Sequence, residues 1–478
     1  MKGRIAVTFE GVSKRFGDHA VLENISCTLT GGRIVAITGR NGSGKSTFLR
    51  LAGHLLRPSE GRVVVSASAP LARDGLRRHL GLLSPELALS PELTGLENLD
   101  FLAGLRGRTL ADDEKAALLQ RVGLAPEDAR KRARACSTGQ RQRLALAVLI
   151  ASSADLWLLD EPGANLDDAG KDVVQREART AAKRGALVLV ATNDANEAAW
   201  ADNVLALGNA PLMQQQAVAG STTTQAPLSE GGGPLAAGGV AKVGTSSLND
   251  FMVEGTSPSS ATIHLLRREL VSALRSRSSL AVMALFAVTA LLALSMALGG
   301  TMLAPAPLSA MLWALLFFAS SMGLGGTFAA DEASGTLLAL RVYGAGQAVL
   351  YGKTAFSFLM LLLLAVVLVP LFFILLDAAC TAPFLFLAAL VLGLLGLAAA
   401  GTLLSALTAG SGDRAAGGLL PVLLLPVILP VFLPAVSLTQ AALGGREAGL
   451  SMLVGMGLYD LLLLVGASLL FDALWYED

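Results

Sequence analysis

Eight residues, Gly39-Arg40-Asn41-Gly42-Ser43-Gly44-Lys45-Ser46, constrain this chain more than any other stretch in it. They fit GxxxxGK[ST], and they stand where that pattern has physical meaning, after the apolar run RIVAIT and before the helix-like stretch TFLRL. Glycines let backbone N–H groups close around phosphates at a helix N-terminus, the lysine reaches the β- and γ-phosphates, and the hydroxyl that follows ligates Mg²⁺. Contacts to a nucleoside triphosphate are therefore expected from Gly39, Arg40, Asn41, Gly42, Ser43, Gly44, Lys45, Ser46 and Thr47, with Ser46 on the metal.

A second element completes such a site. Leu156-Trp157-Leu158-Leu159-Asp160-Glu161-Pro162 reads as a buried strand closed by two carboxylates. Asp160 is placed to hold Mg²⁺, and Glu161 to accept a proton from the attacking water. Acidic residues at a strand end often only solvate a loop, but downstream of a phosphate loop the chemical reading is the stronger. The apolar runs RIVAIT, DLWLLD and ALVLVAT alternate with longer helical stretches up to about residue 208, which predicts an α/β domain with parallel strands.

Composition then divides the chain. Its 478 residues exceed one ordinary domain, and 53% are hydrophobic against 15% charged. Lys+Arg 37 balance Asp+Glu 37, so no global field points to nucleic acid, and no such partner is expected. Nearly all the charge precedes Arg277. Residues 209–260, with QQQ, STTT and GGG tracts, read as a flexible tether spanning ~40 Å. The expected division is an ATPase domain over 1–208, the tether over 209–260 and a membrane domain over 261–478. Cys27, Cys136 and Cys380 form no CxxC or CxxCH pattern. The N-terminal stretch lacks the apolar core of a signal peptide, so the first domain is expected in the cytoplasm.

Beyond the tether, LLRRELVSALRSR at 265–277 reads as an Arg-rich amphipathic helix suited to the inner membrane surface. Apolar stretches near 280–298, 310–326, 355–376, 384–407, 418–438 and 449–471 each approach the ~20 residues of a membrane span, giving about six. Arg267, Arg268, Arg275, Arg277, Arg341, Lys353 and Arg414 fall on one side and Arg446 on the other, which places both ends of this half in the cytoplasm. Pro421, Pro426, Pro430 and Pro434 predict a kinked fifth span. Asp460 lies mid-span, where a lone carboxylate costs roughly 2.5 to 3.5 kcal/mol unless sheltered. It is expected either to function or to hydrogen-bond where two copies pack.

Cys136-Ser137-Thr138-Gly139-Gln140-Arg141-Gln142-Arg143 resembles the LSGGQ signature of the ABC transporter ATPase family. Ser137, Gly139 and Gln140 follow the pattern, whereas Cys136 and Thr138 depart from it. The resemblance implies that ATP and Mg²⁺ are held between two copies, the phosphate loop of one facing Ser137, Thr138, Gly139 and Gln140 of the other, hence a homodimer. Ala164-Asn165-Leu166-Asp167 is similar to the family's D-loop, adding Asp167 to the nucleotide contacts, and Phe16 occupies the position of the aromatic residue that stacks on adenine. Two positions differ. Leu83-Ser84-Pro85-Glu86 lacks the usual glutamine, leaving Glu86 as its nearest substitute at the metal, and Asn193 stands where a switch histidine is usual. Asparagine donates a hydrogen bond but carries no proton charge. ATP binding is thus a firmer expectation than fast hydrolysis.

The stretches FASSMGLGGTFAADEASGTLLALRVYGAGQAVLYGKTAFSFL and GTLLSALTAGSGDRAAGGLLPVLLLPVILPVFLPA resemble the haem-exporter permease of cytochrome c maturation (CcmB). The ATPase half, with SPEL and PELTGLENL, is similar to its partner (CcmA). The resemblance implies an α/β P-loop nucleotide-binding domain followed by an all-α polytopic membrane domain in the inner membrane. It also implies an ATP-driven half-transporter for cytochrome c biogenesis, with further maturation subunits as partners. Residues 331–353 become the coupling segment, Arg341 and Glu332 its polar contacts. His19, His54, His79 and His264 are all expected in the cytoplasm, so haem would be cargo handled by a partner rather than a ligand of the spans. Alternatives are an ABC-2-type exporter of lipid, polysaccharide or drug, and a nucleotide-gated assembly scaffold with little turnover.

Overall fold

The computed structural model describes residues 4–67, 69–208, 258–276, 278–324, 326–409, 416–445 and 450–475. The tether expected over 209–260 therefore lies, up to residue 257, outside the described residues, as do Arg277, Arg414 and Arg446. An α/β part is followed by an all-α part.

The first part contains two sheets. In the smaller, β1 (Ala6–Phe16) lies between β2 (His19–Thr30) and β4 (Glu60–Ser66), antiparallel to both. The larger has the order β5 (Leu80–Leu83), β6 (Leu156–Asp160), β7 (Leu187–Ala191), β3 (Arg33–Thr38), β8 (Asn203–Ala206), with every pairing parallel. The three apolar runs picked out above become β3, β6 and β7. Every residue of β7 is buried, as a strand covered on both faces requires. Fully burying a leucine such as Leu158 or Leu189 contributes about 2 kcal/mol. The helices of this part are α1 (Lys45–Ala52), α2 (Arg73–His79), α3 (Gly95–Gly104), α4 (Asp112–Arg121), α5 (Pro126–Ala129), α6 (Thr138–Ala151), α7 (Asp168–Lys183) and α8 (Ala195–Ala198).

The second part comprises α9 (Pro258–Ser276), α10 (Ser278–Leu298), α11 (Pro305–Leu324), α12 (Gly326–Ser334), α13 (Thr336–Tyr343), α14 (Gly346–Leu375), α15 (Pro383–Ala409), α16 (Ala416–Ala442) and α17 (Leu450–Leu474). Among the described residues, six stretches are long and apolar enough to cross a membrane: Ala281–Leu298, Pro305–Ser334, Gly346–Leu375, Pro383–Thr408, Val422–Ala442 and Leu450–Phe471. They match the six expected, and their exposed leucines suit a lipid surround. α15 packs against α11, α12, α14, α16 and α17. Glycine allows that approach, since a Cβ at Gly393 would stand 2.0 Å from the Trp313 ring. α16 continues as helix through Pro421, Pro426, Pro430 and Pro434.

One expectation changes: two of the α9 arginines, Arg268 and Arg275, pair with carboxylates of the protein itself. Ala261, Leu265 and Arg268, on one face, are buried, while Ile263, Arg267 and Leu274 are exposed. Arg268 and Arg275 turn inward because carboxylates of α3, α9 and α12 wait there. Residues 331–353, expected to be the coupling segment, do meet the α/β part. They form the end of α12, α13 and the start of α14, and α13 lies on α2, α3 and β5 of the α/β part. One hydrophobic core runs through this junction, joining Leu76, Leu82 and Leu102 to Leu340, Tyr343 and Val349.

Candidate nucleotide site and its link to the membrane helices

The phosphate loop is shaped by its glycines. Gly44 has φ of 88°, and a Cβ there would stand 2.9 Å from side-chain atoms of both Val21 and Leu22, so β2 presses directly on the loop. α1 starts at Lys45, whose side chain is buried. Its Nζ donates to the carbonyls of Gly39 (2.9 Å) and Arg40 (3.0 Å), so the loop curls around an ammonium. Phe16 ends β1 as an exposed residue, with Lys14 Nζ 5.0 Å from the ring centre. It belongs to the hairpin that carries Val21 and Leu22.

Asp160 ends β6 and accepts a hydrogen bond from the Ser46 hydroxyl. Burial, reinforced by neighbouring Glu161 and Glu86, pushes its carboxyl above the usual range against the pull of Ser46 and Arg50. Asp160 thus stands against Ser46 of the phosphate loop, with Glu161 and Glu86 near enough to act on its charge, while among the described residues no three His, Cys, Asp or Glu side chains group as a metal site. The Ser46 hydroxyl and the Asp160 carboxylate are oxygen ligands of the kind that Mg²⁺ favours. Glu86 is already ion-paired with Arg50 of α1.

Glu161 is exposed and has φ of 46°, a left-handed conformation that costs a glutamate roughly 1–3 kcal/mol. The turn after it is pinned from several sides. Glu161 N–H donates to Ala191 O (2.8 Å), Gln142 Nε2 donates to Pro162 O (2.8 Å), and Gly163 N–H donates to Glu197 Oε1 (2.8 Å). Glu197 is buried, and burial raises its carboxyl above the ordinary value. Sequence reasoning missed it, because a glutamate in the polar run NDANEA resembles any surface residue until the fold sets it against Gly163. Asn193 donates from Nδ2 to Asn41 Oδ1 of the phosphate loop.

Ser137, Thr138, Gly139 and Gln140 form the N-terminus of α6. Ser137 Oγ accepts from Gln140 N–H (3.2 Å), while Gln140 Oε1 accepts from Ser137 N–H (2.9 Å). The cap fixes a helix end whose dipole favours an anion. A Cβ at Gly139 would lie 3.0 Å from Asn165 O, which seats this end on the D-loop-like turn. Asp167 caps α7 through Gly170 N–H (3.0 Å) and pairs with Arg143 (2.5 Å), whose guanidinium holds its carboxyl below the usual range. Among the described residues, no hydrogen bond or ion pair joins Ser137, Thr138, Gly139 or Gln140 to residues 39–47.

The junction with the membrane helices is polar at three points. Arg275 makes a bidentate pair with Glu97 (2.6 and 2.8 Å) and donates to Glu92 O (2.8 Å). That pairing lowers the Glu97 carboxyl to about 2, and the same carboxylate closes the capping box of α3 with Thr94. Tyr343 is buried under Arg106, 4.5 Å from its ring, and burial brings the Arg106 guanidinium down to about 10. Arg268, Glu269, Asp331 and Lys353 form the third, a buried cluster. Arg341 and Glu332 line a groove with Arg50 and Glu86 instead, and Arg341 also lies 6.0 Å over Trp475. The sequence pointed to this segment and to two charges that line its groove with the α/β part, but not to the buried cluster.

Asp460 is buried between α15 and α16, where a Cβ at Gly396 would come within 2.6 Å of its Oδ1. Neither carboxylate oxygen has a hydrogen-bond donor among the described residues. It faces the interior of its own bundle. His19, His54, His79 and His264 all lie outside the six membrane-length stretches.

Residues 22–164 match the ABC transporter family, and residues 260–469 match the CcmB protein family. The daunorubicin resistance ATP-binding protein DrrA3 of Streptomyces coeruleorubidus is 35% identical over 201 residues, 40% of this chain and 62% of its own length. The cytochrome c biogenesis ATP-binding export protein CcmA of Agrobacterium fabrum is 36% identical over 192 residues, 39% of this chain and 88% of its own. CcmA of Xanthomonas campestris is 43% identical over 166 residues, 34% of this chain and 75% of its own. Among solved structures, a dimeric ATP-binding cassette bound to ADP and phosphate aligns with a TM-score of 0.38 at 29% identity, over 42% of this chain and 94% of its own.

Proposed function

Because the chain belongs to the ABC transporter family, an ATPase part similar to CcmA joined to a CcmB-type permease part, we propose that it is an ATP-driven half-transporter for cytochrome c biogenesis. It exports haem, or powers release of a haem-loaded chaperone from a membrane complex. The observation that carries this reading is the shared core at residues 331–353, which packs CcmB-type helices directly onto the part that holds the phosphate loop.

The proposed chemistry follows from the residues in place. Backbone N–H groups of residues 39–47 receive the phosphates, and Lys45 exchanges the carbonyls of Gly39 and Arg40 for phosphate oxygens. Ser46 and Asp160, with Glu86 beside them, would hold Mg²⁺, which supplies charge neutralisation at the phosphates. Glu161 takes the proton of the attacking water, Asn193 donates to the γ-phosphate, and Phe16 stacks on adenine. Ser137, Thr138, Gly139, Gln140 and Asp167 of a second copy close the site. The difference in ATP affinity between open and closed pairs biases the helix bundle.

This reading divides the chain into an ATPase part over 1–208, a tether over 209–260 and a permease over 261–478. It places the protein in the inner membrane as a multi-pass chain with both ends cytoplasmic. The packing of Trp475 near Arg341, on the side of the ATPase part, supports that arrangement. Further maturation subunits are its expected partners, with haem reaching it on one of them. A drug-export reading draws support from the 35% identity to a daunorubicin resistance protein, but that likeness extends over only 40% of the chain, while 260–469 match CcmB.

Haem staining of membranes from cells whose only copy carries Glu161→Gln tests the proposal. Loss of c-type cytochromes is expected. Normal cytochromes with loss of another export activity would favour the drug- or lipid-export reading.

A further inference from the structure

Glu161 holds a left-handed conformation directly after β6, with φ of 46°. A residue so strained keeps its place only where its surroundings over-determine it. One of the groups that do so is a carboxylate the nucleotide chemistry leaves unused. Glu197, in α8, is 4% exposed, and its Oε1 accepts from the N–H of Gly163 (2.8 Å), two residues beyond Glu161. Gly163 is itself buried, and a Cβ there would stand 2.1 Å from the same oxygen, so the backbone and the carboxylate meet at close range. From the other side, Gln142 Nε2 donates to Pro162 O (2.8 Å), which leaves the turn little freedom to rotate.

Glu197 also accepts from the hydroxyl of Thr192, a buried residue just past β7. Thr192 is anchored in turn, its N–H donating to Ile37 O (3.1 Å) of β3 and its Oγ1 accepting from Asp194 N–H (3.0 Å). It stands between Ala191, whose carbonyl takes the Glu161 N–H (2.8 Å), and Asn193, which meets Asn41 of the phosphate loop. One side chain thus ties the segment after β6 to the segment after β7. Among the described residues no ion pair reaches Glu197; its donors are a backbone N–H and a hydroxyl, and Lys171 and Asp194 act on it in opposite directions. A buried acid satisfied by neutral donors serves through the direction of its hydrogen bonds rather than through its charge. Without it, the buried Gly163 N–H would lose its acceptor, a costly state that the turn can escape only by moving.

We propose that Glu197 is a positioning residue for hydrolysis: by holding the Gly163 N–H and the Thr192 hydroxyl at once, it fixes the strained turn of Glu161 against the strand end that carries Asn193. The base and the γ-phosphate donor then keep one spacing. This role rests on the reading of Glu161 as the base that activates water, and it belongs to a residue that touches neither nucleotide nor metal.

The test measures kcat and KM for ATP, together with the Kd of a fluorescent nucleotide, on the full chain in lipid nanodiscs. Glu197→Asp keeps the charge and draws the carboxyl back by one methylene, Glu197→Gln keeps the reach and an acceptor oxygen without the charge, and Glu197→Ala removes both. Glu197→Asp and Glu197→Ala are expected to lose about 100-fold in kcat, the scale of a misplaced catalytic group, with KM and Kd within about twofold of the wild type. Glu197→Gln is expected to stay within about threefold of the wild-type kcat, since its oxygen still takes the Gly163 N–H. Should Glu197→Ala fail to fold, the comparison of Asp with Gln decides. Wild-type kcat in Glu197→Asp overturns the inference alone, as does a Glu197→Gln protein as slow as Glu197→Asp, or a Kd that rises in step with the fall in kcat. A Glu161→Gln protein that turns over at the wild-type rate counts against Glu161 as the base and takes the inference with it.

Discussion

Lys45 is held by two carbonyls, and in the proposed chemistry phosphate oxygens take their place, so its loss would remove both a buried charge and the group that meets the phosphates. Lys45→Ala is expected to weaken ATP binding about 100-fold, read by titration with a fluorescent nucleotide. Glu161→Gln keeps the side chain's size and removes the base; turnover should fall at least about 100-fold while the Kd stays within twofold or so. A single-turnover assay with Asn193→His adds a third expectation. A group able to hold a proton at the γ-phosphate should raise the hydrolysis rate, and an unchanged rate would mean that position 193 does not limit it. The residues behind these predictions were legible because they fall in contiguous motifs whose spacing is fixed by the nucleotide. Glu197 was not. It matters through a partner that only the folded chain supplies, the N–H of Gly163.

Helices α3 and α9 are joined by the Arg275–Glu97 pair, and this joint should depend on pH. The folded-state Glu97 carboxyl, at about 2, lies below its ordinary 4.5, so its contribution is complete above 4.5 and disappears as pH falls toward 2. In thermal unfolding of the detergent-solubilised protein, the wild type should exceed Glu97→Gln at neutral pH, and the gap should close over that acidic window. A gap that widens on acidification would reverse the sign and discard the pairing. In the bundle, Gly393→Ala should destabilise by about 1–3 kcal/mol, because the added methyl collides with the Trp313 ring where α11 meets α15. The six spans were readable from length and apolarity alone, since lipid leaves a helix few other compositions. The role of α9 was not, because an Arg-rich amphipathic stripe looks the same whether its partner is a headgroup or a carboxylate of the same protein.

At the scale of the molecule, one chain holds a phosphate loop with its metal-side carboxylates, and apart from them a capped signature helix. In the proposed reading these are the two halves of one composite site, and among the described residues no hydrogen bond or ion pair joins them within the chain. Two copies arranged head to tail would complete two sites, and the shared core at 331–353 would then carry closure into paired bundles. Co-purification of two differently tagged variants tests this most directly. Lys45→Ala removes the phosphate-binding half and Gly139→Asp the signature half, so a mixed pair retains one intact composite site. Each variant alone should be inactive as an ATPase, and the mixed pairs should recover hydrolysis. Wild-type activity in either variant alone, or none in the mixed pairs, would contradict a site shared between copies.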